Sequence, residues 1–217
     1  MHALLRPLLT ALAVTIAACD SQGQLGQAEL APDCTANDDG CESGPLRPLA
    51  VGARQLLTVR PLQPDPGGQT SATHFVSANS DVAVIDDGGV LATGDGVTAI
   101  LLVAADDSVL DFTHVAAASA VRLGLHPGSG DVATRALSGT VPVAPGATFT
   151  MTVAPHSDTQ VLGGAFDIVV DSSNRTFSTV PTGDPAIFSF VAPSWGWTEI
   201  DVTALGLSAA VTLEVAP

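Results

Sequence analysis

The sequence contains no tyrosine and no lysine, and its aromatics together make up 4% of 217 residues. Small aliphatic and β-branched side chains must therefore fill any interior, and the β-branched ones favour strands. Lysine's absence leaves arginine as the only strong base. With 22 acids against 7 bases the formal net charge is −15. A chain this acidic has no electrostatic footprint for a phosphate backbone, which excludes nucleic acid as a partner. Anionic headgroups also repel it, so attachment to a membrane needs something other than basic side chains. The charge reads first as solubility, with attraction of cations second. Helical periodicity is missing too: no window carries a 3.6-residue apolar repeat long enough for a substantial helix.

Catalytic signatures are equally scarce. Gly128-Ser129-Gly130 lacks the Gly-x-Ser-x-Gly spacing of a nucleophile elbow. His74, His114, His126 and His156 are scattered without His-x-His or His-x-x-x-His spacing, and each reads as a surface or half-buried strand residue. No glycine loop suits a phosphate or dinucleotide. Ser, Asp and His all occur, so composition alone leaves a hydrolytic triad open.

What the sequence does hold is turn material, Gly 21 and Pro 15, between short β-branched runs. From Asn79 to Ala104 these runs alternate with Asp-Gly and Gly-Asp, the pattern of strands joined by tight turns. One signature then returns a hundred residues later. Gly96, Thr98, Ile100, Leu102 and Ala104 line up with Gly196, Thr198, Ile200, Val202 and Ala204. Two copies predict two related β-domains in tandem.

The N-terminus has Arg6, then an apolar segment over residues 8–18 that is too short to span a bilayer as a stable helix. A basic residue, a short apolar core and small residues at its end make a secretory signal peptide. Ile16-Ala17-Ala18-Cys19 resembles the lipobox of bacterial lipoproteins. The resemblance implies cleavage after residue 18 and a lipid on the Cys19 thiol, with acyl chains anchoring the protein. Asp20 resembles an enteric inner-membrane retention signal that does not hold across phyla, so inner and outer membrane both stay open. The remaining Cys34 and Cys41 are then expected to pair as a disulfide in an oxidising envelope compartment.

Residues 19–45 read as a flexible polar tether. Asn37-Asp38-Asp39-Gly40 falls short of a calcium loop, because Thr35 and Leu46 occupy positions where an EF-hand has ligands. Beyond it, period-2 runs cover Gln55–Arg60, Thr73–Ser77, Val82–Ile85, Thr98–Val103 and Val109–Val115. In residues 46–117, Leu49-x-Val51-Gly52-x-Arg54-Gln55-Leu56-x-Thr58-Val59-x-Pro61 resembles the opening of the bacterial immunoglobulin-like group 2 (BIg2) domain. Phe75-Val76-Ser77-x-Asn79-Ser80-Asp81-Val82-Ala83-Val84-Ile85-Asp86-x-x-Gly89-Val90-Leu91-Ala92 resembles its middle, and Gly96-x-Thr98-x-Ile100 its closing strand. Phe75 stands where that family often has Trp and can fill the same core role. Residues 118–217 alternate over Thr148–Val153, Phe166–Val170, Ile187–Val191, Thr198–Val202 and Ala209–Val215, which suits a second, divergent Ig-like domain. The expected fold is all-β: two tandem Ig-like β-sandwiches, joined semi-rigidly near Ala116–Ser119.

Two features could carry contacts. Asp86-Asp87 and Asp106-Asp107 sit at strand ends, where acids serve as turn residues or, more weakly, as calcium ligands. Trp197 shares its strand face with Glu199 and Asp201, the solvent side by alternation. Trp195 and Trp197 could stack on a sugar or anchor a protein partner, or could cover a sheet edge or the groove between domains. The expected function is a non-catalytic, lipid-anchored adhesion, binding or spacer module of the bacterial envelope, with a protein or glycan partner. The alternative is an envelope hydrolase or an accessory subunit of a secreted enzyme complex.

Overall fold

A computed structural model describes residues 28–32, 47–61, 73–87, 89–129, 132, 134–173, 177–180, 182, 185–192 and 195–216. Among these there is no helix. The first eight strands are β1 (Ala28–Pro32), β2 (Leu49–Ala50), β3 (Arg54–Pro61), β4 (Thr73–Ser77), β5 (Ala83–Asp86), β6 (Gly89–Ala92), β7 (Gly96–Ala104) and β8 (Val109–Ala118). The next eight are β9 (Arg122–Pro127), β10 (Thr140–Pro142), β11 (Thr148–His156), β12 (Ile168–Ser172), β13 (Ser178–Val180), β14 (Ile187–Val191), β15 (Gly196–Ala204) and β16 (Leu207–Val215).

They form four sheets of four strands, ordered β1-β3-β6-β5, β2-β8-β7-β4, β9-β11-β14-β13 and β10-β16-β15-β12. Moving eight strands along the chain turns the first pair of sheets into the second. Neighbours are antiparallel except β2–β8 and β10–β16, which are parallel. A four-strand sheet facing a second that gains a short parallel strand is an Ig-like sandwich. The chain is therefore two tandem Ig-like β-sandwiches.

Strand β7 matches β15 at the spacing seen in the sequence. Both open on a glycine of positive φ, +139° at Gly96 and +127° at Gly196. Thr98, Ile100, Leu102 and Ala104 are buried, as are Thr198, Ile200, Val202 and Ala204. Each set lies in its own core. Ile100 and Leu102 pack with Leu49, Val90 and Val115, and Phe75 closes the side. Ile200 and Val202 pack with Leu125, Met151, Phe190 and Leu213. Burying one such aliphatic chain is worth about 1.5–3 kcal/mol, so the alternating pattern accounts for much of each sandwich's stability.

Strand β1 departs from the sequence reading. It falls within residues 19–45, read as tether, yet it pairs with β3 over five residues and buries Leu30 in the first core. The buried Asp111 carboxylate explains its hold: Oδ2 accepts the Leu30 N–H at 2.7 Å. Five residues with one deeply buried leucine carry no periodicity that a sequence window detects. At the join, β8 continues through Ala118 and β9 begins at Arg122, which leaves residues 119–121 between the sandwiches.

A backbone seam ties the two together. Segment 162–165 of the second sandwich lies beside segment 48–54 of the first, with isolated bridges Leu49–Gly163 and Arg54–Ala165. Gly163 N–H donates to the Pro48 carbonyl at 2.8 Å and Ala50 N–H to the Gly163 carbonyl at 3.0 Å. Arg54 and Ala165 exchange N–H···O bonds of 2.8 and 2.7 Å. Ala50, Ala53 and Leu162 are buried there, with Ala118, Ala120, Phe166 and Leu205 against them. Leu205 is held at φ +52°, a region that disfavours L residues with large side chains. Its side chain reaches the first sandwich at Gly52.

Candidate functional site

The outer face of the β10-β16-β15-β12 sheet carries the large exposed aromatics. Inward positions Thr198, Ile200 and Val202 are buried, so strand alternation turns Trp197, Glu199 and Asp201 outward. Trp197 is 62% exposed and Trp195, just before the strand, 71%. Cross-strand register puts Glu214 opposite Trp197, and Asp171 opposite Asp201. Like charges directly opposite on a sheet are unfavourable. The face is thus aromatic at one end and acidic along its length, and among the described residues it bears no basic side chain.

The first sandwich supplies an internal control. Val97 occupies in β7 the place that Trp197 occupies in β15, and it is 64% exposed. The fold builds the corresponding strand of the first sandwich around a valine, so an aromatic is not a general requirement of that position.

The acid pairs are turn residues. Asp87 and Asp107 adopt left-handed φ of 46° and 65°, the geometry that favours Asp in turns. Asp86 pairs with Arg54 at 2.5 Å. Asp106 Oδ1 accepts from the Ser108 hydroxyl at 2.6 Å and its N–H at 3.1 Å. These bonds hold the carboxyl below its ordinary pKa. Among the described residues no three His, Cys, Asp or Glu side chains come together as a metal would require. Cys19, Cys34 and Cys41 lie outside the described residues.

Two histidines depart from the surface or half-buried strand positions expected of them. His126 on β9 and His156 on β11 are 2% and 6% exposed. Their rings stack at 5.2 Å and 21°, with Nε2 atoms 3.0 Å apart. His126 Nδ1 meets the Thr134 carbonyl at 2.9 Å, and His156 Nδ1 meets Arg122 Nη2 at 3.2 Å. Gly124 lies beneath them: a Cβ there would stand 2.5 Å from both Nε2 atoms. Burial, then Arg122, His126 and Arg47, pushes the His156 pKa down to about 4. The sequence did hold a signal, since a bare glycine inside a strand marks a close approach. The partner 30 residues away was invisible. His74 and His114 stay exposed, His114 edge-on to Phe112 at 5.4 Å.

A cavity of about 120 Å³ opens beside β8, lined by Arg47, Leu49, Gln55, Leu57, Thr113 and His114 among others. It is smaller than the roughly 300–1,000 Å³ that small-molecule pockets take. The exposed sheet face is therefore the better candidate contact surface.

No protein-family profile matches the chain, and no curated protein is significantly similar to it. Among solved structures, domains 4 and 5 of the S-layer protein SbsC align with 88% of this chain and 98% of theirs, at 16% identity and TM-score 0.32. Invasin, described as a bacterial integrin-binding protein, aligns with 87% of this chain and 39% of its own, at 14% identity and TM-score 0.30. The I9–I11 tandem of titin aligns over 86% and 66%, at 8% and 0.30. Scores of this size add nothing about function, and the Ig-like assignment rests on the strand order itself.

Proposed function

We propose that this protein is a lipid-anchored, non-catalytic binding module of the bacterial cell envelope. Its two Ig-like sandwiches, the first of BIg2 type, present the Trp195–Trp197 face to a protein or glycan partner. The observation that carries this reading is the exposed indole of Trp197 at a position the companion sandwich fills with valine. Leaving so large an apolar surface in water is unfavourable unless a partner covers it, and Trp is enriched where partners bind. The N-terminal resemblance to a lipobox supports the anchor at Cys19, and an envelope location supports the Cys34–Cys41 disulfide.

A second reading, a passive spacer, has its own support in the seam, which makes a stiff pair out of two sandwiches. Crosslinking on intact cells separates the two. Wild type and a Trp195→Ala/Trp197→Ala variant are compared at equal surface abundance. A crosslinked species that disappears in the variant supports the binding module; species unchanged by the substitutions support the spacer. Fatty-acid labelling tests the anchor independently: wild type takes up label and Cys19→Ser does not, and labelled Cys19→Ser overturns it.

A further inference from the structure

The groups around His126 and His156 admit one proton arrangement. The Thr134 carbonyl can only accept, so His126 Nδ1 carries a hydrogen and its Nε2 is a bare acceptor. The Arg122 guanidinium can only donate, so His156 Nδ1 is bare and its Nε2 carries the hydrogen. That hydrogen points at His126 Nε2 across 3.0 Å. Arg122, His156, His126 and Thr134 thus form one directed chain with both rings neutral. An added proton breaks it at either ring. On His126 it sets two N–H groups face to face; on His156 it turns an N–H toward Arg122. The same chain occupies both Nε2 atoms, so a metal ion does not suit the pair.

The pair also stands at the joint between the sandwiches. Val121, in the connection, donates its N–H to the His156 carbonyl at 2.8 Å. His156 bridges to Val161, and Leu162 N–H donates to the Pro155 carbonyl at 2.8 Å. The residues that follow, 163–165, make the seam, where Gly163 binds the Pro48 carbonyl one residue from Arg47. The charged groups acting on the His156 ring are Arg122 and His126 from β9 and Arg47 from the first sandwich. Arg122 and Arg47 are permanent cations, one in each sandwich, so a proton on His156 is repelled from both sides of the joint.

We propose that the His126–His156 pair is an acid-operated release for the docking of the two sandwiches. Neutral rings hold the turn after β11, and with it segment 162–165, against segment 48–54. Protonation drives the rings apart and unseats that segment. A His156 pKa of about 4 in the docked state, against an ordinary 6.5, keeps the joint closed at neutral pH and weakens it as the pH falls between those values.

Amide hydrogen exchange on the full chain at pH 8 and pH 5, corrected for intrinsic rates, tests this. The amides of Arg54, Gly163 and Ala165 are expected to lose protection, by at most about thirtyfold, the ratio the two pKa values give through linkage when undocking restores an ordinary His156. The Ile100 amide in the first core keeps its protection. His156→Gln removes one of the two rings that a proton can act on and leaves His126 in place, so its seam is expected to lose markedly less protection than that of wild type between the two pH values. Ring ¹⁵N shifts at pH 8 are expected to show Nδ1–H on His126 and Nε2–H on His156. Equal seam protection at both pH values in wild type overturns the proposal. So does the same fall in His156→Gln, or the opposite pair of tautomers. The wild-type measurements decide the matter should the variant fail to fold.

Discussion

Gly164 of the second sandwich lies so close to Ala53 of the first that a Cβ on the glycine would stand 2.9 Å from the alanine's own. The Arg54 carbonyl and the Leu49 side chain would each be 3.1 Å away, and φ at Gly164 is +95°. Any side chain there meets backbone on one side and a strained conformation on the other. Gly164→Ala is expected to cost about 2–4 kcal/mol at the seam, combining overpacking with the penalty for positive φ. Small-angle scattering should show a broader range of domain arrangements, and the two sandwiches should melt separately.

Leu205 poses the opposite trade. Its left-handed conformation costs about 1–2 kcal/mol, which glycine would not incur. Its side chain packs beside Ala50, Ala53 and Leu162. Leu205→Gly is therefore expected to leave the second sandwich as stable or slightly more so while weakening docking. Thermal unfolding of the isolated second sandwich and of the whole chain, with and without the substitution, reads the two effects apart.

Asp111 fastens β1. One oxygen accepts the Leu30 N–H, while among the described residues its Oδ1 has no partner. Asp111→Ala leaves a buried N–H unsatisfied and should destabilise the first sandwich by about 1–3 kcal/mol. Asp111→Asn keeps an acceptor and should stay within about 1 kcal/mol of wild type. Chemical denaturation gives both numbers, and protease sensitivity near residue 32 reports the release of β1.

Two positions on β15 that face opposite sides of the sheet, Ile200 and Trp197, should behave in opposite ways. Ile200 is fully buried, and Ile200→Ala is expected to cost about 2–5 kcal/mol. Trp197 is largely exposed, and Trp197→Ala should cost less than about 1 kcal/mol, as surface changes do. A Trp197→Ala loss as large as the core variant's would mean the indole is part of the fold rather than of a contact surface.

The buried histidine makes overall stability depend on pH, with a definite sign. Its folded pKa, about 4, lies below the ordinary 6.5, so the unfolded chain binds the proton more readily. The neutral ring's contribution is complete above pH 6.5, falls as the pH drops toward 4 and changes no further below. The full span corresponds to about 3 kcal/mol. Urea midpoints of wild type and His156→Gln, compared at pH 7.5 and pH 4.5, isolate this from the titration of the many carboxylates. Gly124→Ala, which forces the rings apart, should lower stability at every pH.

The alternation of Thr198, Ile200 and Val202 determined a half-buried strand without help from the rest of the chain, because a strand's two faces differ by one residue. Repeating it at Thr98, Ile100 and Leu102 determined that there are two sandwiches, and it put Trp197 on the solvent side. Strand β1 needed the structure, since Leu30 becomes a core residue only once Asp111, far along the chain, receives its amide. The seam needed it as well: Gly164 reads as turn material until Ala53 is placed against it. His126 and His156 became a pair because β9 and β11 lie side by side with Gly124 between the rings. Local periodicity sets which way a side chain faces, through backbone geometry alone. What it then meets is set by strand pairing across long loops, and that depends on the free energy of the whole packed chain.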